Sequence, residues 1–287
     1  MITADCRRLA RSGFEPAASR AGHLVLAPAA LGSGRSDLRV AVTLRPGPSS
    51  SPGASPSSAP GTALALEGLA DQANFALHVN DDQPLVLERR ARLERALELS
   101  AVQWLQQIHS DRVQPAAAYS AAREPEADAA LSARPGAAVA VLTADCLPVV
   151  LWVEAEGGPV AVVHAGWQGL ALGILSNAVQ ALRQEHGTAD PLRAWIGPSI
   201  CAAHYEVTAD LLTRFVDPPA ARSARLGDRR QLDLAALAVR QLALLGVAEV
   251  VRSGWCSYGL PAFYSHRRAQ HQRQPGTGRM ATLAWYR

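Results

Sequence analysis

Two long apolar runs, separated by a short acidic and glycine-rich segment, dominate the hydrophobic pattern of the chain. The first reads L-P-V-V-L-W-V at 147–153, the second reads P-V-A-V-V-H-A at 159–165, and E-A-E-G-G lies between them. Runs rich in β-branched residues on either side of a glycine turn predict a β-hairpin. A turn centred near Ala155 would pair Cys146 with His164, and directly opposed residues have Cβ atoms about 5 Å apart. The pattern therefore predicts a thiol and an imidazole side by side at the open end of the hairpin.

Predicted helices and strands alternate along the rest of the chain. Apolar positions at helical spacing predict a helix at 170–186. Asp or Pro residues that can start a helix predict two more, at 84–99 and 233–245. Short apolar runs that end at turn residues predict strands at 38–44, 75–79, 195–201 and 279–286. This mixture predicts an α/β fold, a mixed sheet with helices packed around it, in a single domain.

A segment of Pro, Ser and Gly residues interrupts the pattern at 46–62. It contains almost nothing that a core could bury, so we predict a disordered insertion there. The chain then divides into an N-terminal extension at 1–37 and a main domain at 38–287 that carries the insertion.

The charged residues exclude several kinds of chemistry. All 28 basic residues are arginine, so Schiff-base catalysis, a lysine base and a P-loop lysine are excluded. Any phosphate must be held by arginine, by helix N-termini or by backbone N–H groups. The net charge is only +3, and no basic stripe with interleaved aromatic residues is present, so we expect no nucleic-acid partner.

The four cysteines and the apolar segments indicate a cellular location. The cysteines lie far apart and form no C-x-x-C pair, and the first residues lack the apolar stretch of a secretory signal. The longest apolar run is interrupted by Asp145 and Pro148, so we expect no contact with a membrane. We therefore predict a cytoplasmic protein with reduced thiols, as a monomer or a small homo-oligomer.

A cysteine facing a histidine is compatible with two kinds of catalytic site. One is a thiolate–imidazole nucleophile pair, and the other is a zinc site with three protein ligands and one open position. A third ligand would decide between them, and His109 is the best candidate because it follows an apolar run that ends at the sheet edge, as Cys146 does. Spacing alone leaves both alternatives open.

Six motifs in the chain resemble those of one known family. They read T-A-D-C-L-P-V, H-A-G-W, Q-I-H-S-D-R-V, N-F-A-L-H-V-N-D-D, I-G-P-S-I-C-A-A-H-Y-E-V and T-G-R-M-A. They are similar to motifs of the laccase-domain family, whose members are also called polyphenol oxidases, peptidoglycan-editing factors and purine nucleoside phosphorylases. The resemblance runs from about Arg39 to the C-terminus. It implies that His109, Cys146 and His164 bind one catalytic zinc ion.

The resemblance also implies an activity. Members would cleave adenosine, inosine, guanosine and methylthioadenosine with inorganic phosphate, giving the base and ribose 1-phosphate or its methylthio analogue. Deamination of adenosine would accompany this reaction, since zinc can activate water for attack on a purine. Residues that match basic or pocket positions of the family would contact substrate: Arg45, His78, Arg267, Arg268 and Arg279.

The chain departs from the family pattern at one position next to the predicted metal site. Gln168 stands where the family usually has arginine after H-A-G-W, so a cation that could hold phosphate is missing. Three other functions remain open. They are a hydrolase of peptidoglycan precursors that uses Cys146 or zinc, a copper oxidase and a zinc-stabilised interaction module. Copper fits less well than zinc, because multicopper sites need closely spaced histidines and the eight histidines here include no H-x-H pair.

Overall fold

Thirteen strands and six α-helices make up the part of the chain that the computed structural model describes, residues 23–26, 34–45, 73–120, 122–187, 189–216 and 229–287. The strands are β1 His23–Leu26, β2 Leu38–Thr43, β3 Ala101–Gln103, β4 Val113–Gln114, β5 Ala129–Ser132, β6 Ala137–Thr143, β7 Leu147–Val153, β8 Val160–Ala165, β9 Leu192–Ile196, β10 Glu206–Thr208, β11 Arg229–Gln231, β12 Glu249–Arg252 and β13 Met280–Tyr286. The helices are α1 Gln83–Ala96, α2 Trp167–Leu172, α3 Ile174–His186, α4 Ala209–Leu212, α5 Leu234–Leu244 and α6 His266–His271.

Two large sheets organise these elements. One has the order β1-β2-β13-β6-β3, the other has the order β12-β9-β7-β8-β5-β4, and β10 and β11 form a separate ribbon. Both large sheets contain parallel and antiparallel pairs. The predicted α/β class is confirmed, with the strands distributed over two mixed sheets. The predicted insertion at 46–62 lies outside the described residues, whereas 23–26 of the predicted N-terminal extension pair with β2.

Three hydrophobic clusters show that the sheets and helices form four layers. One cluster lies between the two sheets and includes Val40, Val141 and Val162. A second joins the six-stranded sheet to α3 and α5, and a third joins the five-stranded sheet to α1. Strands β7 and β8 are therefore buried on both faces, which explains why their sequences, apart from His164, are apolar rather than alternating.

Local sequence explains where the elements differ from the predicted ones. Helix α1 begins as expected, with the Asp82 carboxylate accepting from the N–H of Leu85 at 3.2 Å. The helix predicted from residue 170 begins at Trp167 and breaks at Gly173, whose φ of 93° separates α2 from α3. The strand predicted at 75–79 is absent: the Asn74 side chain bonds both backbone groups of Ala76, which competes with strand pairing.

None of the helices in the described part of the chain combines the length and the apolar character needed to cross a bilayer.

An ion pair before β2 holds the turn of the β7–β8 hairpin. Arg35 donates to both carboxylate oxygens of Asp37 at 2.9 and 2.8 Å, and also to the carbonyl oxygens of Val153 and Gly158. The N–H of Gly157 donates to the same carboxylate at 2.9 Å. Burial raises the pKa of Asp37, but these hydrogen bonds outweigh it and lower the pKa to about 2. The carboxylate therefore stabilises the folded state while it is ionised.

We expect Asp37→Asn to lower the free energy of unfolding by about 1–2 kcal/mol at pH 7. This is less than the lowered pKa alone would imply, because the carboxylate is partly solvated. The folded-state pKa lies below the unfolded-state value of about 3.9, so this stabilisation is complete above about pH 5. It is lost as the pH falls towards 2. Urea unfolding of both proteins between pH 7 and pH 3 checks the prediction, and a difference that stays constant over this range would contradict it.

Candidate metal centre

Three side chains that could bind a metal converge at the open end of the hairpin. The ligand atoms of His109, Cys146 and His164 all lie within 4.8 Å of one another. The two imidazole rings are 4.7 Å apart between centroids and meet edge to face at 77°. His164 is 4% exposed, Cys146 is half-buried and His109 is exposed. The cluster thus extends from the core to solvent, which gives a substrate access from one side.

The hairpin register differs from the predicted one by two residues. Strand β8 pairs His164 with Pro148 and Ala165 with Leu147, so Cys146 continues the register beside Gly166. The turn is centred on Glu156, one residue later than predicted. Moving the turn centre by one residue moves the cross-strand partner of every residue by two. Because side chains alternate between faces, a shift of two leaves Cys146 and His164 on the same face. The predicted meeting of thiol and imidazole is found, although the predicted direct pairing was wrong.

Gly166 gives the thiol the space it needs. A Cβ atom at this position would lie 3.0 Å from the Cys146 sulfur and 3.3 Å from the His109 ring carbon Cδ2. The backbone of Gly166 has φ −70° and ψ 169°, an extended conformation that any residue can adopt. A larger residue here would therefore crowd the two candidate ligands, whereas the backbone conformation would accept it.

We expect Gly166→Ala to weaken metal binding by on the order of tenfold, since overpacking of this size costs about 1–3 kcal/mol. Gly173→Ala is the matched control. That residue has a left-handed φ of 93° and open space around it, so alanine there strains the backbone without touching the site. Competition with a chromophoric chelator measures the metal affinity and urea unfolding measures the stability. Equal metal affinities for the two variants would contradict the assignment.

A buried carboxylate that the sequence analysis did not identify, Asp128, supports two of the three candidate ligands. Asp128 is 0% exposed and accepts from the N–H groups of Ile108 (3.2 Å), His109 (3.0 Å) and Ser110 (2.6 Å). His109 has φ 58°, and this left-handed residue turns three successive amides towards one anion. On the other side, Nδ1 of His164 lies 2.8 Å from the carboxylate, which can only accept. Nδ1 therefore carries the proton, and Nε2 of His164 is free to bind a metal.

The charges of these groups reinforce one another. Burial raises the pKa of Asp128, but hydrogen bonds from His164 and Ser110 lower it to about 2. Burial also raises the pKa of Cys146, yet His164 and His109 lower it to about 6. Burial lowers the pKa of His164, whereas Cys146 and Asp128 raise it to about 9. These interactions favour the thiolate form of Cys146, which is the form that binds a metal.

Asp145, next to the candidate ligand Cys146, fixes the segment that carries the thiol. Its backbone has φ 99°, and its carboxylate accepts from the Ser257 hydroxyl and from the N–H of Arg267, both at 2.7 Å. The N–H of Ile200 donates to its carbonyl oxygen at 2.9 Å. Two loops and α6 are therefore anchored beside the thiol.

The residues expected to contact substrate lie in different environments. Burial lowers the pKa of Arg279, while the charges of Cys146 and Asp145 raise it, so its guanidinium lies within electrostatic reach of the thiol. Burial lowers the pKa of His78, and the charges of Arg279 and His109 lower it further. The guanidinium carbon of Arg45 lies 5.9 Å from the centroid of the Tyr264 ring.

The other two expected arginines make hydrogen bonds within the protein, as does Arg279, whose Nη1 donates to the carbonyl oxygens of Thr277 and Gly278. Arg267 donates to the carboxylate of Glu206 at 3.0 Å, and its guanidinium carbon lies 5.2 Å from the centroid of the Tyr205 ring. Arg268 donates to several carbonyl oxygens of the loop before α6, those of Ser257, Tyr258, Leu260 and Phe263.

Asp128 and Tyr205 are the residues that sequence reasoning missed. The signal for Asp128 is a single acidic residue within the apolar run A-D-A-A-L. Burial raises the pKa of Tyr205, and the charge of Cys146 raises it further, so the phenol lies within the electrostatic influence of the thiol. In the sequence, Tyr205 is indicated only by its place in the motif I-G-P-S-I-C-A-A-H-Y-E-V.

The cluster fits a zinc ion by its chemistry. Two imidazoles and one thiolate are ligands that zinc prefers, and three protein ligands with one open position are typical of catalytic zinc. A carboxylate behind the ligating histidine is the usual arrangement around such metals. Because Gly166 has no side chain, the Cys146 sulfur is not crowded from that side. Residues 109, 146 and 164 would be the ligands.

Comparisons with known proteins identify the family of the chain. A family model described as multi-copper polyphenol oxidoreductase laccase matches residues 63–287. A purine nucleoside phosphorylase of Xylella fastidiosa strain 9a5c is 40% identical over 72% of this chain and 81% of its own length. The purine nucleoside phosphorylase YfiH of Escherichia coli K12 is 36% identical over 75% and 86%.

Solved structures are also similar to this chain. The Neisseria meningitidis protein NMB0706 is 32% identical with a TM-score of 0.68, covering 87% of this chain and 94% of its own. A Bacillus licheniformis protein named YfiH is 23% identical with a TM-score of 0.73, covering 96% and 99%, and supports the fold alone.

Proposed function

Because the chain belongs to the family described as multi-copper polyphenol oxidoreductase laccase, and relatives at 33–40% identity are named purine nucleoside phosphorylases, we propose that it is a zinc-dependent purine nucleoside phosphorylase. The observation that carries this proposal is the convergence of His109, Cys146 and His164 on one point, with Asp128 behind them.

The proposed substrates are adenosine, inosine, guanosine and methylthioadenosine, each with inorganic phosphate. A phosphate oxygen bonds to C1′ as the bond from C1′ to the purine nitrogen breaks, and the electron pair leaves with the base. This transition state pairs an anionic phosphate with a cationic sugar, so a cation is needed to hold the phosphate. We assign that role first to Arg279, which is half-buried and within electrostatic reach of Cys146. The remaining contacts to substrate would come from His78, Arg45, Arg267 and Arg268.

Zinc is proposed at this site in preference to copper. A bound zinc ion would supply a Lewis acid and an activated water, which also accounts for a side activity of adenosine deamination. Copper remains the measurable alternative, because a His₂Cys donor set also suits it. We place the protein in the cytoplasm, where the thiol of Cys146 stays reduced.

The proposal is tested by a chromatographic assay of the purified protein with adenosine, with and without phosphate, and with and without a zinc chelator. We expect adenine and ribose 1-phosphate only when phosphate and bound metal are both present, and elemental analysis identifies the metal. Free ribose without phosphate would indicate a hydrolase instead. No release of base from a zinc-loaded protein would overturn the phosphorylase function and make peptidoglycan precursors the next substrates to assay.

A further inference from the structure

A second cluster of metal-binding side chains lies outside the candidate metal centre. The ligand atoms of Cys201, His204 and Cys256 are all within 4.8 Å of one another. Nδ1 of His204 lies 3.2 Å from the Cys201 sulfur and 3.4 Å from the Cys256 sulfur. All three residues are half-buried, so the cluster is shielded but can still be reached from solvent.

Two local structures bring these residues together. Cys201 precedes a single 3₁₀ turn, Ala202–His204, and residues three apart lie on the same side of such a turn. Cys256 comes from a separate loop that is joined to the first by a parallel bridge with Ser199. In this bridge, the N–H of Ser257 donates to the carbonyl oxygen of Ser199 at 2.9 Å. The arrangement is therefore built by the fold and does not depend on long flexible side chains.

The imidazole of His204 is held in the orientation that a ligand needs. It stacks on the Tyr258 ring with centroids 4.3 Å apart and planes 20° from parallel. The Tyr258 hydroxyl is in turn 3.0 Å from Nδ1 of His271. The N–H of Cys201 points at the Cys256 sulfur from 3.4 Å, a contact that favours the thiolate. Nδ1 of His204 faces two sulfurs but could donate a proton to only one of them, whereas a cation would satisfy all three atoms at once.

We propose that Cys201, His204 and Cys256 bind a second zinc ion. With zinc–sulfur and zinc–nitrogen distances of about 2.3 and 2.05 Å, tetrahedral coordination separates sulfur and nitrogen by about 3.6 Å. The observed separations of 3.2 and 3.4 Å need only a few tenths of an ångström of expansion. Two thiolates neutralise the dication. One position is left for water or another small ligand.

The position of this cluster indicates a structural role for the second zinc. His204 is followed directly by Tyr205 and Glu206, and the Cys256 loop leads to α6, which carries Arg267. Arg267 contacts both Glu206 and the Tyr205 ring. A metal bound to Cys201, His204 and Cys256 would fasten together the two segments that form one wall of the candidate metal centre.

The first test is the zinc content of the reduced protein after dialysis, measured by elemental analysis. We expect two zinc ions per chain in the wild type and one in each of Cys201→Ser and Cys256→Ser. Cys146→Ser is also expected to hold one, retained by the second cluster. Cys6→Ser, the same substitution at the remaining cysteine, should keep both. A zinc content that Cys201→Ser and Cys256→Ser leave at the wild-type value would overturn the proposal.

A second test needs no variant and so is independent of folding. The zinc-loaded wild type is alkylated under reducing conditions, and modified cysteines are identified by peptide mass spectrometry. We expect Cys201 and Cys256 to be protected until a chelator is added, as bound thiolates are. Rapid alkylation of both residues in the zinc-loaded protein would overturn the proposal. So would a Cys201–Cys256 disulfide in protein whose zinc content does not rise on reduction.

Discussion

Cys146→Ala is expected to abolish phosphorolysis and to lower the zinc content of the protein by one ion per chain. The thiolate is one of three protein ligands, and its loss should weaken zinc binding by more than the roughly 100-fold that substitutions behind metal ligands can cost. Activity should fall to that of the chelator-treated wild type, because both proteins lack the same metal. Base release with adenosine and phosphate, measured beside elemental zinc, checks both parts of this prediction.

Two comparisons decide what Cys146 does. Cys6→Ala, which makes the same substitution elsewhere in the chain, should leave activity and zinc content unchanged. If Cys146→Ala keeps its zinc but is inactive, the thiolate acts as a nucleophile and not as a ligand, and a covalent adduct on the wild-type thiol should then be detectable by mass spectrometry. Retention of both zinc and activity would contradict the assignment of Cys146 to the site.

The parts of the site predicted from sequence were those encoded by local pattern. The glycine turn and the two apolar runs predict the β7–β8 hairpin, and alternation along its strands places Cys146 and His164 on one face even though the predicted register is two residues off. The position of His109 depends on a contact with Asp128, which is nineteen residues away in sequence and leaves no periodic signal.

Other features could not be predicted because they depend on tertiary contacts. Strand β5, Ala129–Ser132, is short and contains no β-branched residue, so nothing local distinguishes it from the polar segment around it. Asp128 directly precedes this strand and was not identified for the same reason. His204 contacts Cys201 within one turn, but its contact with Cys256 arises only when two loops are bridged. No regular spacing in the sequence marks contacts between residues so far apart along the chain.

Asp128→Asn is expected to reduce both stability and metal binding. The carboxylate accepts five hydrogen bonds, from three backbone amides, the Ser110 hydroxyl and Nδ1 of His164. An amide group replaces one acceptor oxygen by a donor, which then faces other donors in a site with no access to water. Breaking a buried charged pair of this kind costs about 3–5 kcal/mol of unfolding free energy. Because His109 and His164 lose their orientation, zinc affinity should fall by about 10–100-fold.

Asp190→Asn separates this effect from a general cost of disturbing an Asp–His contact. Asp190 lies 2.8 Å from Nε2 of His186, the same distance as in the buried pair, but its carboxylate is exposed. Exposed pairs contribute about 0–1 kcal/mol, so its loss should change stability little and zinc affinity not at all. Urea unfolding and chelator competition on both variants give the comparison. If Asp128→Asn lost stability but bound zinc as tightly as the wild type, Asp128 would support the fold alone and the ligands would be positioned by the hairpin and by Gly166.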